Sequence, residues 1–226
     1  RLGGLTLAAN VPDYKAASRR LIDWFEHDLE KAGVKVELYH NLTGEDIKNI
    51  DADAFIVSTG AHVKIPNLPG VDDKNVVTAV DVLLDKAEIG ERVVVVGGGQ
   101  VGCEVAYELV RAGKQVSVVE YLDRLVSGGD EPVSAAIVLM LEDLLDYYKA
   151  DIHLSTAVTE IKDGSVVIEK SGEKSEIPAD TVILATGFAS NDGLYTAIKE
   201  LGREVYIIGD AKKAPGNIMH SVADGN

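Results

Sequence analysis

Four β-branched residues, Val93 to Val96, run without a break into Gly97-x-Gly99-x-x-Gly102, and this junction restricts the chain more than any other feature. A short apolar run of this kind suits a strand buried on both faces. The glycines that follow answer three different needs. Gly97 allows a tight turn, Gly99 the close approach of a pyrophosphate to the backbone, and Gly102 the packing of a helix on the sheet. The helix that opens there offers unpaired N–H groups and the positive end of its dipole to phosphate. The candidate phosphate-binding residues are therefore Gly97, Gly98, Gly99, Gln100, Val101 and Gly102.

The glycine pattern alone is common, and its surroundings decide its meaning. Glu104 to Arg111 reads as a helix stopped at Ala112-Gly113, and Gln115 to Val119 as a second apolar strand ending at Glu120. Glu120 stands 18 positions after Gly102 (120 − 102), where an acidic side chain at a strand end accepts hydrogen bonds from an adenosine ribose and repels a 2′-phosphate. This favours NAD(H) over NADP, although Lys114 and Arg124 are near enough in sequence to keep NADP open.

With 226 residues, 46% of them apolar, the chain can form one large or two modest domains. A formal charge of −15 argues against a nucleic-acid partner and against an anionic membrane surface. No apolar run approaches the ~18 residues of a membrane span and no signal peptide opens the sequence, so a cytoplasmic location is expected. The single cysteine, Cys103, excludes a Cys-x-x-Cys pair within this chain and reads as a small buried helix residue. The five histidines show no ligand spacing, so no metal site is expected.

Arg1 to Asn10 reads as a loop. Asp13 is placed to cap a helix from about Tyr14 to Lys31, stopped at Gly33 and followed by a strand Val34 to Tyr39. Thr43-x-x-Asp46 predicts a capping box for a helix to Ile50, and Ala54 to Val57 a buried strand. Ile65 to Asp72, with Pro66, Pro69 and Gly70, reads as a rigid linker. Glu131 to Lys149 predicts an amphipathic helix and Asp151 to Leu154 a third strand. Turns at Asp163-Gly164 and Ser171-Gly172 mark an antiparallel meander. Thr181 to Leu184 is a buried strand, Glu204 to Ile208 runs into Gly209-Asp210, and a helix begins near His220. Two strands end in Thr-Gly, at Thr59-Gly60 and Thr186-Gly187, a weak internal repeat suggesting two related nucleotide-binding halves.

Taken in order, Ser-Thr-Gly (58–60), Ile-Pro-x-Leu-Pro-Gly (65–70), the glycine loop, Ala-Thr-Gly (185–187) and Ile-Ile-Gly-Asp-Ala (207–211) resemble the pyridine nucleotide–disulfide oxidoreductase superfamily. More narrowly, the chain is similar to the C-terminal module of NADH:flavin oxidoreductases of the 2-enoate reductase, 2,4-dienoyl-CoA reductase and trimethylamine dehydrogenase type. The resemblance implies an α/β fold in which a Rossmann-like NAD(P)-binding domain, a parallel sheet plus a small antiparallel meander at 79–187, is inserted in a partial FAD-binding domain formed by 1–78 and 188–226. It further implies that Gly60 and Asp210 lie against FAD and Gly187 near NAD.

The chain has only one glycine fingerprint, so it reads as part of a larger protein that binds FAD weakly or not at all by itself. The resemblance implies hydride transfer from NADH to FAD, with a 4Fe-4S cluster and FMN in a missing N-terminal barrel. The alternatives are a non-catalytic NAD-binding or regulatory module, and a fragment of a flavin NADH oxidase or disulfide reductase. No residue is assigned as catalytic, because the cofactors carry the chemistry.

Overall fold

The β-branched runs demand cover on both faces, and the chain supplies it by pairing them in parallel. A computed structural model describes residues 2–127 and 133–225. Its α-helices are α1 (Thr6–Ala9), α2 (Arg19–Lys31), α3 (Gly44–Ile47), α4 (Ala79–Leu83), α5 (Gln100–Arg111), α6 (Ala135–Tyr147), α7 (Gly193–Glu200) and α8 (Ile218–Gly225). The strands are β1 (Phe55–Val57), β2 (Ala61–Val63), β3 (Val76–Thr78), β4 (Arg92–Val96), β5 (Gln115–Val119), β6 (Asp151–His153), β7 (Ala157–Lys162), β8 (Ser165–Lys170), β9 (Glu173–Pro178), β10 (Thr181–Leu184), β11 (Phe188–Ser190) and β12 (Val205–Ile207). They fall into two compact units, one of Arg1–His62 with Phe188–Asn226, the other of Val63–Gly187.

The Val63–Gly187 unit holds a parallel sheet in the order β3-β10-β4-β5-β6. Val96 is level with Leu184 on one side and Val119 on the other. The ladder continues past the strand ends: Ala185 N donates to Val96 O, Gly97 N to Val119 O, and Glu120 N to His153 O, each at 2.9 Å. Ala185, Gly97 and Glu120 therefore leave the sheet side by side at its C-terminal edge. On α5, Cys103, Val105, Ala106 and Val110 are buried, giving the helix its apolar face.

The predicted meander is β7-β8-β9, antiparallel throughout. Its second turn takes Ser171 and Gly172 to φ of 53° and 85°, the mirror-image turn that matches strand twist. Ile161, Val166 and Ile168 of the meander join Val94, Val96, Val119, Val182 and Leu184 in one buried cluster, so the meander covers a face of the parallel sheet.

Asp180, just before β10, ties that strand to β4: it accepts from the Arg92 backbone N–H at 2.9 Å and from the Arg92 guanidinium at 2.5 Å. These bonds from Arg92 lower its carboxyl to about 2. A carboxyl held below its unfolded value of about 4 contributes stability above that pH, and the contribution is lost as pH falls toward the folded value. The melting-temperature gap between the native chain and Asp180→Asn is thus expected to be flat from about pH 7 to 5 and to shrink between about pH 4 and 2. A gap that widened on acidification would refute the clip.

In the other unit, β1 and β12 form a two-stranded parallel sheet, Phe55 against Val205 through Val57 against Ile207. Ile47, Val57 and Ile198 make its buried core, with Ile50, Phe55, Leu194, Tyr195 and Val205 around them. The Arg203 guanidinium lies over the Phe55 ring and donates to the carbonyls of Ile50 and Ala52.

Several local expectations are corrected in this unit. Val34 to Tyr39 has the alternation of a strand yet joins no sheet among the described residues, because a strand exists only with a partner. Residues 6–9, expected as loop, form α1. The helix expected from Tyr14 divides into a 3-10 turn, Asp13–Ser18, and α2, and α2 has no side-chain cap at Ser18. The Thr43/Asp46 capping box is present in both directions, but α3 ends at Ile47 rather than Ile50. Strand β1 is not buried throughout, since Ile56 remains 68% exposed. In the Val63–Gly187 unit, α6 begins at Ala135, and the expected start at Glu131 and Pro132 lies outside the described residues.

Candidate functional site

The four glycines of the loop have different reasons for lacking a side chain. Gly97 has φ of 105°, and a Cβ there would stand 2.6 Å from the Ala185 carbonyl oxygen. A Cβ on Gly102 would lie 1.9 Å from the Gly97 carbonyl oxygen and 3.1 Å from Ala185 Cβ, so only glycine lets α5 sit against the β4 turn and the end of β10. Gly98 is held between Leu125 and Glu120, with prospective contacts of 2.6 and 3.0 Å. Gly99 differs from all three. Its backbone is extended (φ −66°, ψ −178°), and the nearest atom to a prospective Cβ is Ser127 O at 3.6 Å. Nothing among the described residues requires glycine at 99. Among the described residues the room it leaves is open, and it borders the first turn of α5, where Gln100, Val101 and Gly102 precede the first helical bond, Cys103 N to Gly99 O at 3.0 Å. That turn carries no acidic residue to compete with an anion.

Glu120 is 9% exposed and its carboxylate is part of the loop's scaffold. Oε2 accepts from Gly98 N at 2.5 Å and Oε1 from Leu122 N at 2.8 Å. A carboxylate offers about four acceptor positions, so each oxygen retains capacity for a sugar hydroxyl. From the same residue, Gly98 O accepts from Val126 N at 2.7 Å and from the Cys103 thiol at 3.2 Å. Val126 makes its bond with φ of 54°, a strained conformation for a β-branched residue, held by its burial. Residues 120–127 thus clamp the glycine loop from above, an arrangement the sequence reading missed because neither Leu125 nor Val126 belongs to a local motif.

Two neighbouring residues resolve questions of chemistry. Burial pushes the Cys103 thiol up to about 12, so it stays protonated at neutral pH and is no redox nucleophile. Glu104, also missed, is only 1% exposed and accepts from Gln100 Nε2 at 2.8 Å; the i, i+4 spacing on α5 was its available signal. Lys114 precedes β5 and pairs with Glu91 at 3.6 Å. It therefore sits at the opposite end of the strand from Glu120, roughly 20 Å away at strand rise. Arg124, the other basic candidate, is exposed and pairs with Asp123 at 3.8 Å.

The two Thr-Gly turns are built alike. Thr186 Oγ1 donates to Lys64 O at 2.5 Å while Lys64 N donates to Gly187 O at 2.9 Å. Thr59 Oγ1 donates to Asn191 O at 2.5 Å while Asn191 N donates to Gly60 O at 3.0 Å. Both glycines have positive φ, 69° at Gly60 and 87° at Gly187, and neither has a described atom within 4 Å of a prospective Cβ. Gly60 and Asp210 follow the level ends of β1 and β12, and Ile208 N continues that ladder to Val57 O at 3.0 Å. Asp210 accepts from Gly216 N at 2.8 Å. No group of three or more metal-ligating side chains occurs among the described residues, and no described helix is long and apolar enough to cross a membrane.

A parallel α/β sheet with a glycine turn, a helix N-terminus and an acidic strand end at one edge defines a dinucleotide-binding class of fold. Within that class, the chain belongs to the pyridine nucleotide-disulphide oxidoreductase family, whose pattern matches residues 13–225. It is 35% identical to the cinnamate reductase of Clostridium sporogenes over 98% of its own length, and 31% identical to the bilirubin reductase of Mediterraneibacter gnavus over 99%. It spans about a third of each relative, 33% and 34%. A solved 2-naphthoyl-CoA reductase matches with a TM-score of 0.90 and 26% identity, over 99% of this chain and 34% of that one. The fold is thus that of the FAD/NAD-binding modules of flavin oxidoreductases related to enoate-type reductases.

Proposed function

We propose that this chain is the nicotinamide-dinucleotide-binding part of a flavin-dependent oxidoreductase, taking NADH in preference to NADPH, and that the whole protein reduces an activated alkene or related substrate. The observation that carries the reading is Gly99: among the described residues it is glycine without an internal reason, and its open side borders the N-terminal turn of α5. In this reading the N–H groups of Gln100, Val101 and Gly102 hold the pyrophosphate, and Glu120 accepts from the adenosine ribose. The domain assignment follows, with the nicotinamide nucleotide on 79–187 and the FAD side, including Gly60 and Asp210, on 1–78 with 188–226. Gly187 borders the nicotinamide nucleotide.

A bound nicotinamide–flavin pair supplies the hydride transfer. The chain's own residues bind and orient: the clamp 120–127 fixes the glycine loop beforehand, so little ordering is left to binding. The Cys103 thiol takes no part, which speaks against disulfide exchange at this residue. A 4Fe-4S cluster and FMN belong, in this reading, to the remaining two-thirds of a protein of the relatives' length.

The deciding experiment is a calorimetric titration of the purified 226-residue chain with NADH and NADPH, after a visible absorption spectrum. Expected are NADH binding tighter than NADPH and no stoichiometric flavin absorbance. Binding of neither nucleotide would sink the proposal, and stoichiometric flavin would overturn the expectation of weak FAD affinity.

A further inference from the structure

We infer that Val126 is a positioning residue of the nucleotide site: by tying back the Gly98 carbonyl it turns the Gly99 N–H outward, as one more donor to the pyrophosphate beside those of Gln100, Val101 and Gly102. The role rests on reading the glycine loop as a dinucleotide site.

Both polar groups of the Gly98 backbone are already committed. Its N–H donates to Glu120 Oε2 at 2.5 Å, and its carbonyl accepts from Val126 N at 2.7 Å and from the Cys103 thiol at 3.2 Å. Among the described residues the cis peptide bond is Ala214–Pro215, so the bond from Gly98 to Gly99 is trans. In a planar trans peptide the carbonyl of one residue and the N–H of the next point in opposite directions. The Gly98 carbonyl is drawn toward Val126 and the buried Cys103, and the Gly99 N–H therefore points away from both. That N–H has no acceptor among the described residues, and Gly99 opens α5 without a side-chain cap. A half-buried amide of this kind is open to an acceptor on a ligand. With no acidic residue in the first turn of α5, that acceptor is fittingly an anion.

Val126 makes its bond in a costly conformation. Its φ is 54°, and among the described residues it is the only β-branched residue with positive φ; the others outside glycine are Tyr39, Asp85, Lys149, Ser155 and Ser171. At a negative φ the Val126 N–H and the chain that follows it could not both keep their present directions. A glycine would take this conformation freely, so the valine supplies something else. Its side chain, 2% exposed, anchors the segment beside Leu125, whose Cδ2 would stand 2.6 Å from a Cβ on Gly98. Strain that the surroundings hold in place in this way is found at ligand clamps, where it fixes a group before the ligand arrives.

The test is amide exchange with water, read residue by residue by NMR on the 226-residue chain with and without saturating NADH. Gly99 is expected to exchange fast in the free chain and about tenfold slower with NADH, while Val126 is slow in both states. Val126→Gly keeps the N–H but loses the anchor. NADH is then expected to bind about tenfold more weakly, and the slowing at Gly99 to shrink at saturation. A merely structural valine would lower the melting temperature and leave that slowing intact. Val126→Ala, a smaller loss of packing, gives the same comparison where Val126→Gly does not fold. Gly99 already slow in the free chain, NADH bound with Gly99 unchanged, or native slowing in the variants would each overturn the inference. No NADH binding by the native chain would instead refute the nucleotide reading, and this role with it.

Discussion

Gly102→Ala is expected to destabilise the Val63–Gly187 unit severely, while Gly99→Ala leaves its melting temperature unchanged and removes most of its dinucleotide affinity. The contrast follows from geometry. A methyl group at 102 would stand 1.9 Å from the Gly97 carbonyl oxygen, a backbone atom that cannot swing aside. Overpacking of this kind costs about 3 kcal/mol or more, or roughly 6–12 °C in a chain of this size. A methyl group at 99 meets no described atom closer than 3.6 Å, and the position has an ordinary φ. Its only cost falls on a ligand that must approach the backbone, expected as about 10- to 100-fold weaker NADH binding, or about 1.4–2.8 kcal/mol. Scanning calorimetry and NADH titration of both variants check the pair. If Gly99→Ala bound NADH normally, the open side of the loop would not be the phosphate site.

Glu120→Ala is expected to act twice. It removes the acceptor for a ribose hydroxyl and the charge that repels a 2′-phosphate, so NADH affinity falls about tenfold or more and the NADH-to-NADPH preference narrows. It also orphans the buried donor Gly98 N, at a cost of about 1–3 kcal/mol, and frees the partly exposed Leu122 N to water. Glu120→Gln separates the effects, because its amide oxygen keeps an acceptor for Gly98 while the charge is gone. Nucleotide preference is therefore expected to narrow in both variants, with the larger loss of melting temperature in Glu120→Ala. An unchanged preference in both would remove Glu120 from nucleotide selection, leaving it as a brace for the glycine loop.

Much of the nucleotide half was legible because its signals are short in range. Val93–Val96, the glycine spacing and the turn residues at 163–164 and 171–172 each state a local conformational need, and the parallel sheet and meander formed where those needs pointed. What was not legible depended on partners far along the chain. Leu125 and Val126 carry no motif, yet they grip Gly98 and complete the loop. Lys114 looked near Glu120 in sequence, but a full strand separates them in space. Val34 to Tyr39 had the right alternation and found no neighbour, and Ile56 had the right hydrophobicity and found no cover.

The sequence by itself thus determined the strand–loop–helix at 93–111, the capping box at Thr43 and Asp46, and the glycine spacing at 97, 99 and 102. Backbone stereochemistry and side-chain periodicity act within a few residues, so they can be read in order along the chain. Only the tertiary structure decided which backbone N–H groups the Glu120 carboxylate braces, and which apolar strands became buried. Pairing and burial are properties of two segments at once, and one segment's residues do not contain its partner's position.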